Sequence, residues 1–151
     1  MSDAVELEHF IDGLGLRWFK GKEFTPYWSR TRGSVRNSIP PEALWPNIVK
    51  TLIVVDEMRE IIGKPIGVTS SYRSPAYNRA VGGEPMSYHM QFKALDIHSP
   101  VGPAILAKTA RLLRGKRFDL PGNAGSFTFR GGIGTYPTFV HVDTRGYDAN
   151  W

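Results

Sequence analysis

Residues 87–98 read SYHMQFKALDIH, and the spacing within that stretch restricts the path of the whole chain. On a continuous helix His89 and Asp96 would lie about 10.5 Å apart along the axis. Fully extended, the same segment spans roughly 23 Å. Neither path lets the two side chains share one ligand. If they act together, the chain must fold back around MQFK, so that ALDIH runs as a strand returning Asp96 to His89. An aspartate inside such an apolar run needs a partner, because strands disfavour it and a buried unpaired carboxylate is costly.

A third polar group is available in TFVHVDT, where His141 sits on a strand whose alternation also places Asp143 on the same face. Two histidines and one carboxylate, with no thiolate, leave a fourth position for water, which is the ligand pattern of a catalytic zinc site. The chain has no cysteine, so structural disulfides and thiolate metal sites are excluded. Two other readings of the same residues stay open. Each histidine can be an ordinary packed or surface side chain. Alternatively, HVD at 141–143 can begin the facial triad of a non-haem iron enzyme, with its remaining histidine drawn from upstream. His98, two residues beyond Asp96 on the same strand face, is a further candidate for proton transfer.

The surrounding sequence alternates helical and strand-like segments. IPPEALWPNIVKTLIVVDEMREIIGKP repeats Ile48, Leu52, Val55, Arg59 and Ile62 at helical spacing, with Pro46 in its first turn and Gly63 and Pro65 as its stop. Arg59 is expected at the solvent edge of that stripe. PIGVTSSY reads as a strand, and SPAYNRAV as a short helix with Ser74 as N-cap. GPAILAKTARLLRGK is an amphipathic helix opened by Pro103 and closed by Gly115. SFTFRGGIGTY and TFVHVDT read as strands joined around Pro137, the closing pair of a hairpin. Residues 1–40 are poorly defined, compatible with either a helix or alternating strand at first and loop-like afterwards. The expected class is α+β, a mostly antiparallel central sheet flanked by helices, in a single domain over 1–151.

With 151 residues, the chain can bury a core unaided. No segment reaches the length of a membrane span, and no secretion leader is recognisable, so neither membrane insertion nor self-directed export is expected. The formal charge of +5 favours an anionic partner. Arg30, Arg32 and Arg36 could track phosphates, but no nucleic-acid-binding motif accompanies them, and a solvated basic loop is the preferred reading. The expectation is therefore a monomer that binds no nucleic acid.

The polar cluster also has a familiar context. SYHMQFKALD resembles the S-x-H-x-x-G-x-A-x-D motif of the zinc D-alanyl-D-alanine carboxypeptidases and their Hedgehog-fold relatives. SSYRSPAYNRAVGG is similar to the Y-R-S-x-x-x-N segment that precedes it in that family. GGIGTYPTFVHVDTRG with the terminal ANW resembles the closing segment of the bacterial and phage murein-peptidase branch. The resemblance runs from residue 70 to the end, with the three segments in family order.

It implies a Hedgehog/DD-peptidase-like fold, a zinc ion held by His89, Asp96 and His141, and hydrolysis of amide bonds in peptidoglycan peptides. Carboxypeptidase and endopeptidase action both fit, as does a phage endolysin released by a holin-type route to act in the periplasm or cell wall. Arg73 matches the arginine that steadies a substrate carboxylate or oxyanion. Ser87 matches a substrate-contacting position, and Tyr72 and Tyr136 are candidates to line the cleft. Two departures stand out. Phe92 occupies the motif's glycine, and Thr138 replaces the Glu or Asp that many relatives carry three residues before the last ligand. Asp143 is the expected substitute as general base, with orientation of a zinc ligand as its other role. The competing class is a zinc-containing wall-binding module that has lost catalysis.

Overall fold

Residues 3–151 are described by the computed structural model. Leu7 and Ile11, one helical turn apart, are both fully buried, and the opening segment is a helix, α1 (Asp3–Asp12). Asp56 then ties down the chain that follows, accepting hydrogen bonds from the backbone N–H groups of Arg17 and Trp18 at 3.2 and 2.9 Å. The stretch expected to be loop contains a short helix, α2 (Thr25–Trp28), and a small hairpin of β1 (Thr31–Arg32) and β2 (Val35–Arg36).

The main helix, α3 (Val49–Ile62), starts three residues later than Pro46 suggests, because Pro46 lies in a preceding 3₁₀ segment over Glu42–Ile48. Proline has no N–H to give a helical ladder, so the regular α-helix begins only after it. Ile48, Leu52 and Val55 are fully buried, as are Val54 and Met58, so the buried face is wider than one stripe. Arg59 lies on the partly exposed edge, its guanidinium 5.6 and 5.3 Å from the ring centres of Trp18 and Phe19.

After α3 come β3 (Gly67–Ser70), α4 (Pro75–Ala80) and β4 (Ala94–His98). Ser74 caps α4 by accepting from the Tyr77 N–H at 3.2 Å. The helix α5 (Pro103–Leu113) leads to β5 (Arg117–Asp119), which pairs with β6 (Ser126–Thr128) as a two-stranded ribbon. The run SFTFRGGIGTY, read as one strand, is therefore two: β6 belongs to that ribbon, and β7 (Gly132–Thr135) to the central sheet. They part around Gly131, where a Cβ would fall 1.8 Å from the Asp143 carbonyl oxygen. Last come β8 (Val140–Asp143) and β9 (Ala149–Asn150).

The central sheet has the order β3-β4-β8-β7-β9 and is antiparallel except at the β7–β9 edge. The class is α+β, as the alternation of segments implies. Leu95, Ile97, Val140 and Val142 are fully buried within the hydrophobic core, together with residues of α3 and α5. Strand alternation aims Asp96 and His141 at the opposite face.

Between His89 and Asp96 the chain folds back as their cooperation requires. Tyr88–Gln91 form a 3₁₀ turn, Phe92 adopts a left-handed conformation (φ 56°, ψ 43°), and the Lys93 N–H donates to the Tyr88 carbonyl at 3.1 Å. This explains both the motif's glycine and the cost of departing from it, since left-handed backbone is unfavourable with a side chain. Phe92 offsets that strain through burial: it is fully inaccessible and meets Tyr72 edge-on, with ring centres 6.3 Å apart. Phe92→Gly is expected to relieve the backbone yet empty a core site, lowering stability by about 2–4 kcal/mol in a denaturant melt.

Candidate metal centre

The register of β4 against β8 sets Asp96 directly opposite His141, and the fold-back carries His89 over the same spot. Asp96 Oδ1 lies 3.1 Å from His89 Nε2 and 3.3 Å from His141 Nδ1, and one ligand atom from each of the three residues falls within 4.8 Å of the others. All three side chains are buried.

The remaining ring nitrogens decide the chemistry. His89 Nδ1 is 2.6 Å from the Ser71 carbonyl oxygen, which can only accept, so Nδ1 carries the hydrogen. His141 Nε2 is 2.7 Å from Asp143 Oδ2 and donates to it. In their neutral forms, both rings therefore present a bare nitrogen to the same carboxylate oxygen, an arrangement that calls for a cation between them. Ligands about 2.0–2.2 Å from a tetrahedral zinc are separated by roughly 3.3 Å, close to the two spacings found here. The donor set fits zinc, with His89 Nε2, Asp96 and His141 Nδ1 as its ligands.

The electrostatics divide the two histidines, favouring the neutral ring at His89 and the protonated one at His141 while no cation is bound. Burial pushes the His89 pKa down, favouring the neutral ring a metal needs. Burial alone would raise the Asp96 pKa, but His89 and His141 overcome it and hold the carboxyl well below the usual range. Burial also opposes a charge on His141, and hydrogen bonds to Asp143 and Asp96 outweigh it, raising that pKa.

Asp143 lies behind His141 and is not among the residues lining the cavity. It is fully buried, and its oxygens are occupied: Oδ1 accepts from the Gly132 N–H and the Arg145 Nε at 2.9 Å each, while Oδ2 accepts from His141 and from Arg145 Nη2 at 2.7 Å. Burial favours the protonated acid, but the bonds from His141 and Arg145 prevail, and the group stays ionised far below neutrality. Such a carboxylate has no free lone pair directed at a substrate. It holds His141 in one tautomer, the orienting role that is the other reading of this residue. His98 does not join the cluster either; it lines a different cavity with Glu23 and Arg59.

His89, Asp96 and His141 line a cavity of about 830 Å³. Arg73 lines it and donates to Asp96 Oδ2, to Asn78 Oδ1 and to the Tyr27 hydroxyl at 3.3, 3.3 and 3.4 Å. Ser87 also lines it while capping the 3₁₀ turn, its hydroxyl accepting from the His89 N–H at 3.2 Å. Tyr136 stands on the rim, stacked on Phe139 with ring centres 4.5 Å apart. Tyr72 is packed in the core and is not part of the cavity wall.

Sequence reading missed several contributors. Arg145 locks Asp143 and is itself faced by Tyr88 and Trp151, 4.5 and 5.2 Å from their ring centres. Trp151 covers His141 at 5.0 Å and donates to the Tyr136 hydroxyl at 2.8 Å. Its indole fits because Gly134, opposite His141, has no side chain; a Cβ there would approach it to 2.4 Å. Glu84 was also overlooked. Besides Asp96 it is the acid on the cavity wall, and its carboxylate has no hydrogen bond or ion pair among the described residues. A signal was present for Arg145 alone, since its two-residue spacing from Asp143 suits a bidentate pair.

Comparison with known proteins decides the family. A family model described as peptidase M15 matches residues 17–143. The chain belongs to the peptidase M15 family. That places it among zinc D-alanyl-D-alanine carboxypeptidase-like peptidases, and it is a hydrolase by family. No individual curated protein matches the chain closely enough to count as a relative. Among the described residues, no helix is long and apolar enough to cross a membrane.

The outer hydrogen bond on His141 gives a direct test. Asp143→Asn is expected to weaken zinc affinity 10–100-fold, measured by competition with a chromophoric chelator.

Proposed function

We propose that this M15 peptidase is a zinc-dependent hydrolase of amide bonds in peptidoglycan stem or cross-link peptides, acting at the bacterial cell wall. The observation that carries the reading is the pair of histidines whose outer nitrogens are engaged by Ser71 and Asp143, leaving both inner nitrogens on Asp96 in the lining of an open cavity. A zinc ion held there would supply Lewis acidity towards a scissile carbonyl and lower the pKa of water.

The chain's own groups have distinct tasks. Arg73 is held by three side chains with its guanidinium on the cavity wall, suited to meet the negative charge that develops on the carbonyl oxygen. Glu84 takes the proton released when water attacks and delivers it to the leaving amine. Its placement supports that role, because it lines the same cavity as His89, Asp96, His141 and Arg73. Thr138, which stands at the family's acidic position, cannot accept that proton. Tyr136 and Trp151 form an aromatic wall against which a peptide can lie.

Zymography on purified peptidoglycan is expected to give a clearing band that a chelator erases and zinc restores. Binding without a band would instead favour a non-catalytic wall-binding module. Glu84→Gln is expected to lower kcat 10²–10⁴-fold with zinc content unchanged, measured on a muropeptide by mass spectrometry. Wild-type turnover in that variant would remove Glu84 from the mechanism.

A further inference from the structure

The excess charge of this protein is not spread over its surface. The chain has 19 Lys and Arg against 14 Asp and Glu. Residues 24–41 and 67–83 together contain Arg30, Arg32, Arg36, Arg73 and Arg79 and no acid, so the remainder balances at 14 basic against 14 acidic side chains. These two segments are neighbours in the fold, since the β1–β2 hairpin packs on α4. Arg30, Arg32, Arg36 and Arg79 are exposed, and none of the four makes an ion pair among the described residues.

Geometry divides them further. In the hairpin, Arg36 is paired with Thr31 and Arg32 with Val35, so Arg32 and Arg36 face opposite sides, while Arg30 alternates onto the side of Arg32. Arg30 is anchored by a hydrogen bond to the Thr69 carbonyl at 3.3 Å and lies 5.2 Å from the Tyr27 ring centre. The hydroxyl of that same tyrosine receives Arg73 Nε at 3.4 Å. Tyr27 meets Tyr77 edge-on at 6.2 Å, and the Tyr77 hydroxyl, whose pKa burial raises, feels the opposing charges of Arg30, Arg73 and Arg32. A line of guanidinium groups thus runs from Arg73 on the cavity wall, past Tyr27, to the exposed tip of the hairpin.

We propose that Arg30 and Arg32 form a docking site, linked through Tyr27 to Arg73 on the cavity wall, for the carboxylate groups of the peptidoglycan strand whose peptide enters the cavity. This rests on the peptidoglycan reading above. Three observations select that occupant. Tyr27 links Arg30 to Arg73, which lines the cavity where the same polymer would be cut. Guanidinium groups match carboxylates in planar, two-point geometry. The exposed arginines have no exposed aromatic side chains interleaved with them on which bases could stack, which disfavours single-stranded nucleic acid.

The test is cosedimentation of the full-length protein with purified sacculi stripped of phosphate-containing polymers, across a salt series. Arg30→Gln/Arg32→Gln is expected to weaken association about tenfold and to flatten its salt dependence. Arg30→Lys/Arg32→Lys keeps the charge but not the planar fork and is expected to restore the salt dependence while recovering only part of the binding, which separates lost charge from lost structure. Lys108→Gln/Lys116→Gln removes the same charge at and beyond α5 and is expected to bind like wild type. Equal losses in the two Gln pairs would reduce the effect to net charge and overturn the proposal. So would unaltered binding by Arg30→Gln/Arg32→Gln, or a loss confined to duplex DNA in a parallel gel shift. Turnover of a soluble muropeptide by the wild-type protein is read separately, so failure of the peptidase reading shows there and not in the sedimentation.

Discussion

A carboxylate buried in the middle of a sheet is the constraint around which this protein is organised. Taking an isolated charge out of water costs several kcal/mol, and Asp96 is nearly inaccessible on the second strand of the central sheet. Arg73 donates to one of its oxygens, and the other faces the inner nitrogens of His89 and His141 across the space where a cation would sit. Each reaches it by a different structural device. Antiparallel register brings His141, a left-handed turn brings His89, and the turn between β3 and α4 brings Arg73.

The next layer of polar groups determines what the cluster can do. Without the Ser71 carbonyl and Asp143, either histidine could rotate or change tautomer, and the cluster would satisfy itself by internal hydrogen bonds. With them, both inner nitrogens are committed to the centre, and the site is complete as a cation receptor. Asp143 is in turn held by Arg145, which is faced by Tyr88 and Trp151. The residues nearest the C-terminus thus support the ligand that the family motif ends with. Glu84, the group proposed above for proton transfer, lies outside this locked network on the cavity wall.

Much of this was legible in the chain. The helices over 49–62, 75–80 and 103–113 follow from apolar spacing and from Ser, Pro and Gly at their ends, because those signals act through local backbone geometry. The hairpin of β7 and β8 follows from alternation and from the turn around Pro137. Strand β5 and the split of SFTFRGGIGTY were not legible. Gly131 is barred from a side chain by the Asp143 carbonyl, a contact between strands distant in sequence. The first helix was ambiguous because two apolar residues at i and i+4 acquire meaning only when a core exists to bury them.

By itself, the sequence determined the candidate ligands His89, Asp96 and His141, the need for a fold-back between the first two, and the family, since each depends on residue identity and spacing. Tertiary structure alone decided which polar groups were spare and which were spent. Asp143 shares a strand face with His141, as alternation requires, yet residues from β7 and from the loop after β8 occupy its lone pairs. His98 shares a strand face with Asp96, yet it lines another cavity. Phe92, a misfit in the motif, proved to be a core residue on left-handed backbone. Hydrogen-bond saturation and burial belong to the assembled molecule, because their partners come from segments that no local pattern connects.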